Sequence, residues 1–395
     1  MPLLPQRRVP KIGGVNVVGP LRDESGVGEA ARAVVAALDA AGVPVLPVLP
    51  PGGSPSRQAV PFATVAPAEA VFPTTVLCVT ALETPGFAGA VGPRFFAGRH
   101  TIGLWWWEVE TFPEVMHGGF DWVDEVWAGS EHIAQAIRPA GAAHGVPTTR
   151  VRIPVRRAAP TRRTRTELGL PEGFVFLTVF GYYSSVERKN PAGAIEAFSR
   201  AFRAGEGASL VVKCIDEAAH PEEHAALLAA AACHPDVHVL PGYVDRDEMD
   251  ALVQCSDAIV SLHRAEGFGF TPAEAMAQGK PVVATRYSGN LDYMHDENAL
   301  LVDAALVPIA GAGPYPAGAR WADPDLDQAA VAMRRLVAEP EFGARLGAAA
   351  RESLARTHGT AVSGAAMRAA LAGHADRHRW AKARLAAARL RRTRR

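Results

Sequence analysis

The sequence predicts an α/β chain of two doubly wound, Rossmann-like domains facing a central cleft. Three observations predict it. Short β-branched runs alternate with stretches of helical periodicity along most of the chain. The alternation stops once, at the basic, Pro-containing and aperiodic stretch R-R-A-A-P-T-R-R-T-R-T-E-L-G-L over 156–170, and then restarts. The length, 395 residues, suits two or three domains, at roughly 150 residues each.

In the first array, strands fit 14–19 (G-V-N-V-V-G), 43–48, 75–79, 101–107 and 125–128. The Gly-rich loop E-S-G-V-G-E over 24–29 leads from the first strand into a helix. Ala31, Val34, Val35 and Leu38 recur there at helical spacing, and Gly42 closes it. Leu49 to Ser56 is rich in Pro, Gly and Ser and reads as a loop. In the second array, strands fit 174–180, 209–215, 237–240, 257–262 and 281–285, with helices starting near Pro191, Pro221, Arg246 and Pro272. The expected units are therefore 1–160, 161–365 and an Ala/Arg-rich C-terminal helix over 366–395 that packs back toward the first domain. Doubly wound sheets bind ligands at the C-terminal ends of their strands, so the cleft between the domains is the expected site.

Composition narrows the function. Hydrophobic residues make up 48% and charged residues 21%, which suits a folded chain and excludes global disorder. Lys+Arg and Asp+Glu both number 41, so no whole-protein field marks a nucleic-acid binder. The four cysteines form no C-x-x-C, which excludes a disulfide scaffold and a zinc ribbon. The N-terminus has no apolar core of signal-peptide length and no segment reads as a membrane span, so the expected location is the cytoplasm. Residues 376–395 hold nine Lys/Arg and one Asp. That tail is a candidate for peripheral contact with anionic lipid at the inner face of the membrane, with a solvated helix end as the alternative.

The strongest motif is E-G-F-G-F-T-P-A-E-A-M-A-Q-G-K-P-V-V-A-T over 266–285. A strand ends before it, a Gly-rich turn follows, then a helix. Glu266 and Glu274 are carboxylates suited to hydroxyl donors such as those of a sugar or ribose, and free N–H groups at the helix start suit an anion. A capping box, Thr271 with Glu274, is the alternative for Glu274. A second motif, G-Y-Y-S-S-V-E-R-K-N-P over 181–191, puts Arg188 and Lys189 before a helix capped by Asn190. Cations at that edge would stabilise a diphosphate. The run W-W-W-E over 105–108 offers Trp107 and Glu108 to the cleft, core packing being the alternative.

The stretch 266–285, with S-L-H-R before it and Y-S-G-N-L-D-Y-M after it, resembles the E-x7-E signature of retaining family-4 glycosyltransferases of the GT-B fold. The resemblance is strongest from Phe174 to Val302. It implies transfer of a hexose from a nucleoside-diphosphate sugar to a hydroxyl of a glycan, lipid-linked or small-molecule acceptor, without metal or bound cofactor. It makes 1–160 the acceptor side and 161–365 the donor domain. It implies that Glu266, Gly267, Phe268, Gly269 and Phe270 meet the donor sugar and that Glu274 holds the ribose. Lys189 would bind the donor phosphates. The family's Arg stands where this chain has Tyr182, which leaves Arg188 or Tyr182 for that role. Gly26 and Gly28 would face the phosphate across the cleft, Tyr243 and Val244 would lie against the base, and Ser288, Gly289 and Asn290 would line the edge. His263 would touch sugar or phosphate, or be a satisfied structural histidine. The family's usual His near the tryptophan run has no match here.

Alternatives within this reading are a GT-B sugar-nucleotide epimerase and a non-catalytic sugar-nucleotide-binding protein. A dinucleotide oxidoreductase is disfavoured, because neither array carries the full glycine fingerprint. H-P-E-E-H over 220–224 and three D-x-D triplets are read as chance resemblances to metal motifs.

Overall fold

The computed structural model describes residues 13–54, 56–310 and 315–373. The first domain opens with β1 (Val15–Val18), α1 (Gly26–Ala40), β2 (Val45–Val48) and β3 (Thr74–Leu77). It continues with α2 (Thr84–Val91), β4 (His100–Trp105), β5 (Glu125–Ala128), α3 (Glu131–Ala143) and β6 (Thr148–Arg150). Its six strands pair in parallel in the order β2-β1-β3-β4-β5-β6. Ser25 caps α1 by accepting a hydrogen bond from the Gly28 N–H, and Ala31, Val34 and Leu38 are buried, as their spacing requires.

The second domain begins with β7 (Phe174–Gly181), α4 (Val186–Lys189), α5 (Pro191–Ala201), β8 (Ala208–Ile215) and α6 (Pro221–Ala231). It goes on with β9 (Val237–Leu240), α7 (Arg246–Cys255), β10 (Ala258–Ser261), α8 (Phe270–Ala277), β11 (Val282–Thr285) and β12 (Leu300–Val302). The sheet order β12-β11-β10-β7-β8-β9 is the Rossmann order, with its switch point between β7 and β10. A hairpin of β13 (Ala304–Pro308) and β14 (Arg320–Pro324) follows, then α9 (Leu326–Ala338) and α10 (Pro340–His358).

Five strands were expected in each array, and the structure adds a sixth, β6 and β12, to each sheet and the hairpin beyond. The expected strand over 101–107 ends at Trp105. The helix expected from Pro272 starts two residues earlier, at Phe270, because Gly269 takes φ +85° and turns the chain there.

Among the described residues the chain crosses between the domains twice. The first crossing passes through the expected linker. The second follows α10, after which a helix over 360–373 packs on the first domain: Met367 and Leu371 are buried in one cluster with Val34, Ala37 and Leu38 of α1. The return to the first domain thus begins before residue 366, the expected boundary. The basic tail from 376 onward lies outside the described residues, as does its expected lipid contact. Among the described residues, no helix is long and apolar enough to cross a membrane.

Candidate functional site

Two loops leave the second sheet at its switch point, and their backbones meet: the Arg264 N–H donates to the Arg188 carbonyl at 2.7 Å. The Asn190 amide ties the α5 cap to the Leu262 carbonyl at 2.8 Å. This joint brings residues 77 apart in sequence into one ion cluster. Glu266 accepts from the Lys189 ammonium and stands 3.3 Å from the Arg188 guanidinium. Arg188 is only 5% exposed and also donates to the Ala265 carbonyl at 2.8 Å. Burial alone would raise the Glu266 pKa, but Lys189 and Arg188 outweigh it and hold the carboxyl down to about 2. Glu266 is therefore ionised at neutral pH. Glu266 and Glu108 raise the Arg188 pKa against burial, so its guanidinium stays charged.

The loop that carries Glu266 is held from behind. Tyr293 donates to the carbonyls of Phe268 and Gly269 at 3.0 and 2.7 Å, and Ser288 Oγ accepts from the Glu266 N–H at 2.8 Å. A Cβ on Gly289 would lie 1.9 Å from the Gly267 carbonyl oxygen, so the close approach requires glycine there. Among the described residues no side chain caps α8, which leaves its first N–H groups without a side-chain acceptor.

These loops form one wall of an 830 Å³ cleft whose other wall is the first domain. Lys189, Arg188, Glu266 through Phe270, Glu274, Tyr243 and Val244 line the second-domain wall, and Gly26 and Glu108 line the first. Several expectations need correction. Ser288, Gly289 and Asn290 do not line the cleft but support its loop, because their polar groups are spent on neighbouring backbone or on His263. His263 is fully buried between Ser261, Asn290 and the Tyr287 carbonyl, a satisfied structural histidine. Gly28 seats α1 against the carbonyls of Pro20 and Asp23 instead of facing the cleft. Trp107 is 2% exposed and gives its N–H to the Thr111 carbonyl, whereas Trp106 lines the cleft. Tyr182 is buried, with its hydroxyl 2.9 Å from His224 Nδ1, so of the two only Arg188 lines the cleft. Among the described residues no cluster of His, Cys, Asp and Glu is arranged to hold a metal.

Glu274 does not form the capping box. Its carboxylate accepts from Arg246, the first residue of α7. Arg246 also approaches Asp250 at 3.2 Å and, across the cleft, Glu29 at 3.8 Å. At the same end, Tyr243 donates to Asp216 at 2.6 Å and the Arg57 guanidinium of the first domain lies 4.5 Å from the centre of its ring. Lys213, 1% exposed, donates to the Gly242 carbonyl and fixes the turn before Tyr243. Sequence reasoning missed Arg246, Lys213 and Trp106. Arg246 carried one usable signal, its place one residue after an Asp N-cap at a strand's ligand edge.

Residues 163–353 match the family model described as glycosyl transferases group 1. HepE of Anabaena, solved with UDP and glucose, is 14% identical over 91% of this chain and 99% of its own, with a TM-score of 0.65. Sucrose-phosphate synthase of Thermosynechococcus elongatus is 17% identical over 93% and 99%, also with a TM-score of 0.65. A glycosyltransferase of Rickettsia africae is 13% identical over 89% and 95%, with a TM-score of 0.59. These likenesses extend over both domains and show a shared two-domain GT-B fold. A search of the curated proteins found no match.

Proposed function

From the premise that the second domain carries the group 1 glycosyl transferase pattern, we propose that the protein moves a hexose from a nucleoside-diphosphate sugar to an acceptor hydroxyl, with retained anomeric configuration. The observation that carries this reading is the Glu266 carboxylate, held ionised between Lys189 and Arg188 at the switch point and beside the uncapped start of α8. The cations and the helix N–H groups suit a diphosphate, and Glu266 suits the hydroxyls of a hexose. Tyr243, Val244 and Glu274 form the end that suits a nucleoside. HepE, solved with UDP and glucose, shares the fold and supports a UDP-type donor.

The acceptor hydroxyl attacks the anomeric carbon on the face the diphosphate leaves. The bond from that carbon to the phosphate oxygen breaks, its electron pair stays on the phosphate, and that oxygen takes the acceptor's proton. Lys189 and Arg188 stabilise the charge that grows on the leaving group, so no metal is assigned to the step. Closure of the two domains over the donor would keep water from competing with the acceptor.

Calorimetry with UDP, GDP, ADP, TDP and NAD, with and without EDTA, tests the donor class. One nucleoside diphosphate should bind preferentially and independently of metal; binding of NAD alone would overturn the reading. Lys189→Ala and Glu266→Gln should each lower transfer by about 10²–10³-fold, the typical cost of removing one such group. Their circular dichroism should stay that of the wild type. Near wild-type turnover in either variant would remove these residues from the site.

A further inference from the structure

The hairpin of β13 and β14 stands apart from the second sheet and packs on the first domain where β4 ends. Ile309 and Trp321 are buried there in one cluster with Trp105, Trp107 and Val109. The hairpin is pinned on both sides: Arg320 pairs with Glu110 at 2.9 Å, and Asp323 pairs with Arg264 at 2.9 Å. Tyr315, between its two strands, sets its ring 5.5 Å from that of Trp107 and 6.1 Å from that of Trp321. Its hydroxyl stands 3.4 Å from Oε2 of Glu108. Burial pushes the phenol pKa up and Glu108 adds to the rise, so the hydroxyl keeps its proton and can share it with the carboxylate.

Glu108 is held along its backbone as well. His132 Nε2 lies 2.8 Å from its carbonyl oxygen. The carbonyl oxygen of Trp107, one residue earlier, lies 3.2 Å from where a Cβ on Gly267 would stand. Gly267 follows Glu266, so the two carboxylates branch beside one backbone contact between the domains, and both residues line the cleft. Against the burial that lowers it, Glu266, Glu108 and Tyr315 all raise the Arg188 pKa, as groups sharing one field do. A carboxylate accepts hydrogen bonds only, and it repels a diphosphate. What it can meet at this place is a hydroxyl of the sugar beside Glu266. A contact of 3.4 Å is slack, and such contacts tighten when substrate binds. We infer that Glu108 accepts a hydroxyl of the transferred hexose and that Tyr315 is the positioning residue that aims its carboxylate. The inference rests on the transferase reading and adds to its donor site one contact from the first domain.

The test is calorimetry on the full chain without acceptor, which separates a hexose contact from an acceptor contact. The titrants are the nucleoside diphosphate that binds best, its glucose, galactose and mannose conjugates, and the 2-, 3-, 4- and 6-deoxy forms of the tightest conjugate. Glu108→Gln should weaken that conjugate on the order of tenfold, the range for a hydrogen bond to a charged group, and leave the nucleoside diphosphate unchanged. One deoxy form should be indifferent to Glu108→Gln, which names the hydroxyl. Tyr315→Phe keeps the ring packing and removes only the hydroxyl. Alone it should weaken the same conjugate severalfold, and in the Glu108→Gln background it should add little, because it acts through that carboxylate. Wild-type affinity for the conjugate in Glu108→Gln, equal loss for nucleotide and conjugate, sensitivity of all the deoxy forms, or a full Tyr315→Phe effect in the Glu108→Gln background would overturn the inference. Any of these in a protein that binds nucleotide and conjugate leaves the transferase reading standing. A wild type that binds neither sinks that reading.

Discussion

Arg246 holds together the end of the cleft proposed for the nucleoside through three carboxylates, one of them, Glu29, on the opposite domain. Burial pushes the Glu274 carboxyl up, and Arg246 is the main force against it. Arg246→Ala leaves Glu274 and Asp250 without this cation, so stability should fall by about 1–3 kcal/mol, a partial loss because the pair is only partly buried. Chemical denaturation reads that loss, and calorimetry should show weaker nucleotide binding; Arg246→Lys should recover part of both. At this scale the sequence shows the functional groups that sit in a compact motif. Glu266 and Lys189 were legible because strand, glycine turn and helix signals bracket them. Arg246 was not, because its partners Glu29 and Glu274 come from elements that only the fold brings side by side. Trp107 was misplaced for a related reason: the strand ends at Trp105, so alternation no longer decides which indole faces the cleft.

The element that organises the site is the loop from Leu262 to Gly269, held by backbone contacts, by Ser288 and by the Tyr293 hydroxyl. Gly289→Ala would push a methyl group into the Gly267 carbonyl, which must move with the whole loop. The expected result is a melting temperature several degrees lower and activity reduced more than binding of nucleotide, since Glu266 loses its place first. A wild-type melting curve would show that the loop yields freely. At the end of α10, His358 lies against Phe268 and Tyr293, and its carbonyl accepts from the Val155 N–H at 2.8 Å. Burial lowers its pKa from 6.5 to about 4, with Arg150 and Arg152 adding to the effect. Below pH 6.5 the unfolded chain takes up a proton that the folded chain refuses. Stability should therefore fall between pH 6.5 and 4 by up to about 3 kcal/mol. His358→Gln should flatten that slope in pH-dependent denaturation. Most elements were legible from periodicity and turn residues. The three-residue strands β6 and β12 were not, because so few residues give no alternation to read. The start of α8 was misjudged because T-P-A-E satisfies a cap pattern locally, while Arg246 claims Glu274 in the fold.

At the scale of the whole molecule, the two halves meet along the cleft through contacts that single residues cannot provide. Ser130 donates to the Gly267 carbonyl at 2.6 Å, and Asp292 accepts from the Glu131 N–H at 3.0 Å and from Arg150 at 2.7 Å. The two-domain plan was legible from the restart of the βα alternation after residue 170, and the cleft followed from it. How the C-terminal segment divides between the domains was less legible, since an Ala-rich helix announces no partner.

The return of the helix over 360–373 to α1 means that the second half of this protein carries a structural part of the first. Cut at the linker near residue 160, the chain becomes two fragments, and the larger one carries a structural piece that the smaller one lacks. Expressed separately and mixed, 1–160 and 161–395 should recombine into a working particle, as a split reporter does. The same larger fragment ended at residue 358 should fail to reassemble. Co-purification through a tag on one fragment reads the difference, and equal recovery of both versions would show that the cleft contacts alone suffice to join the halves.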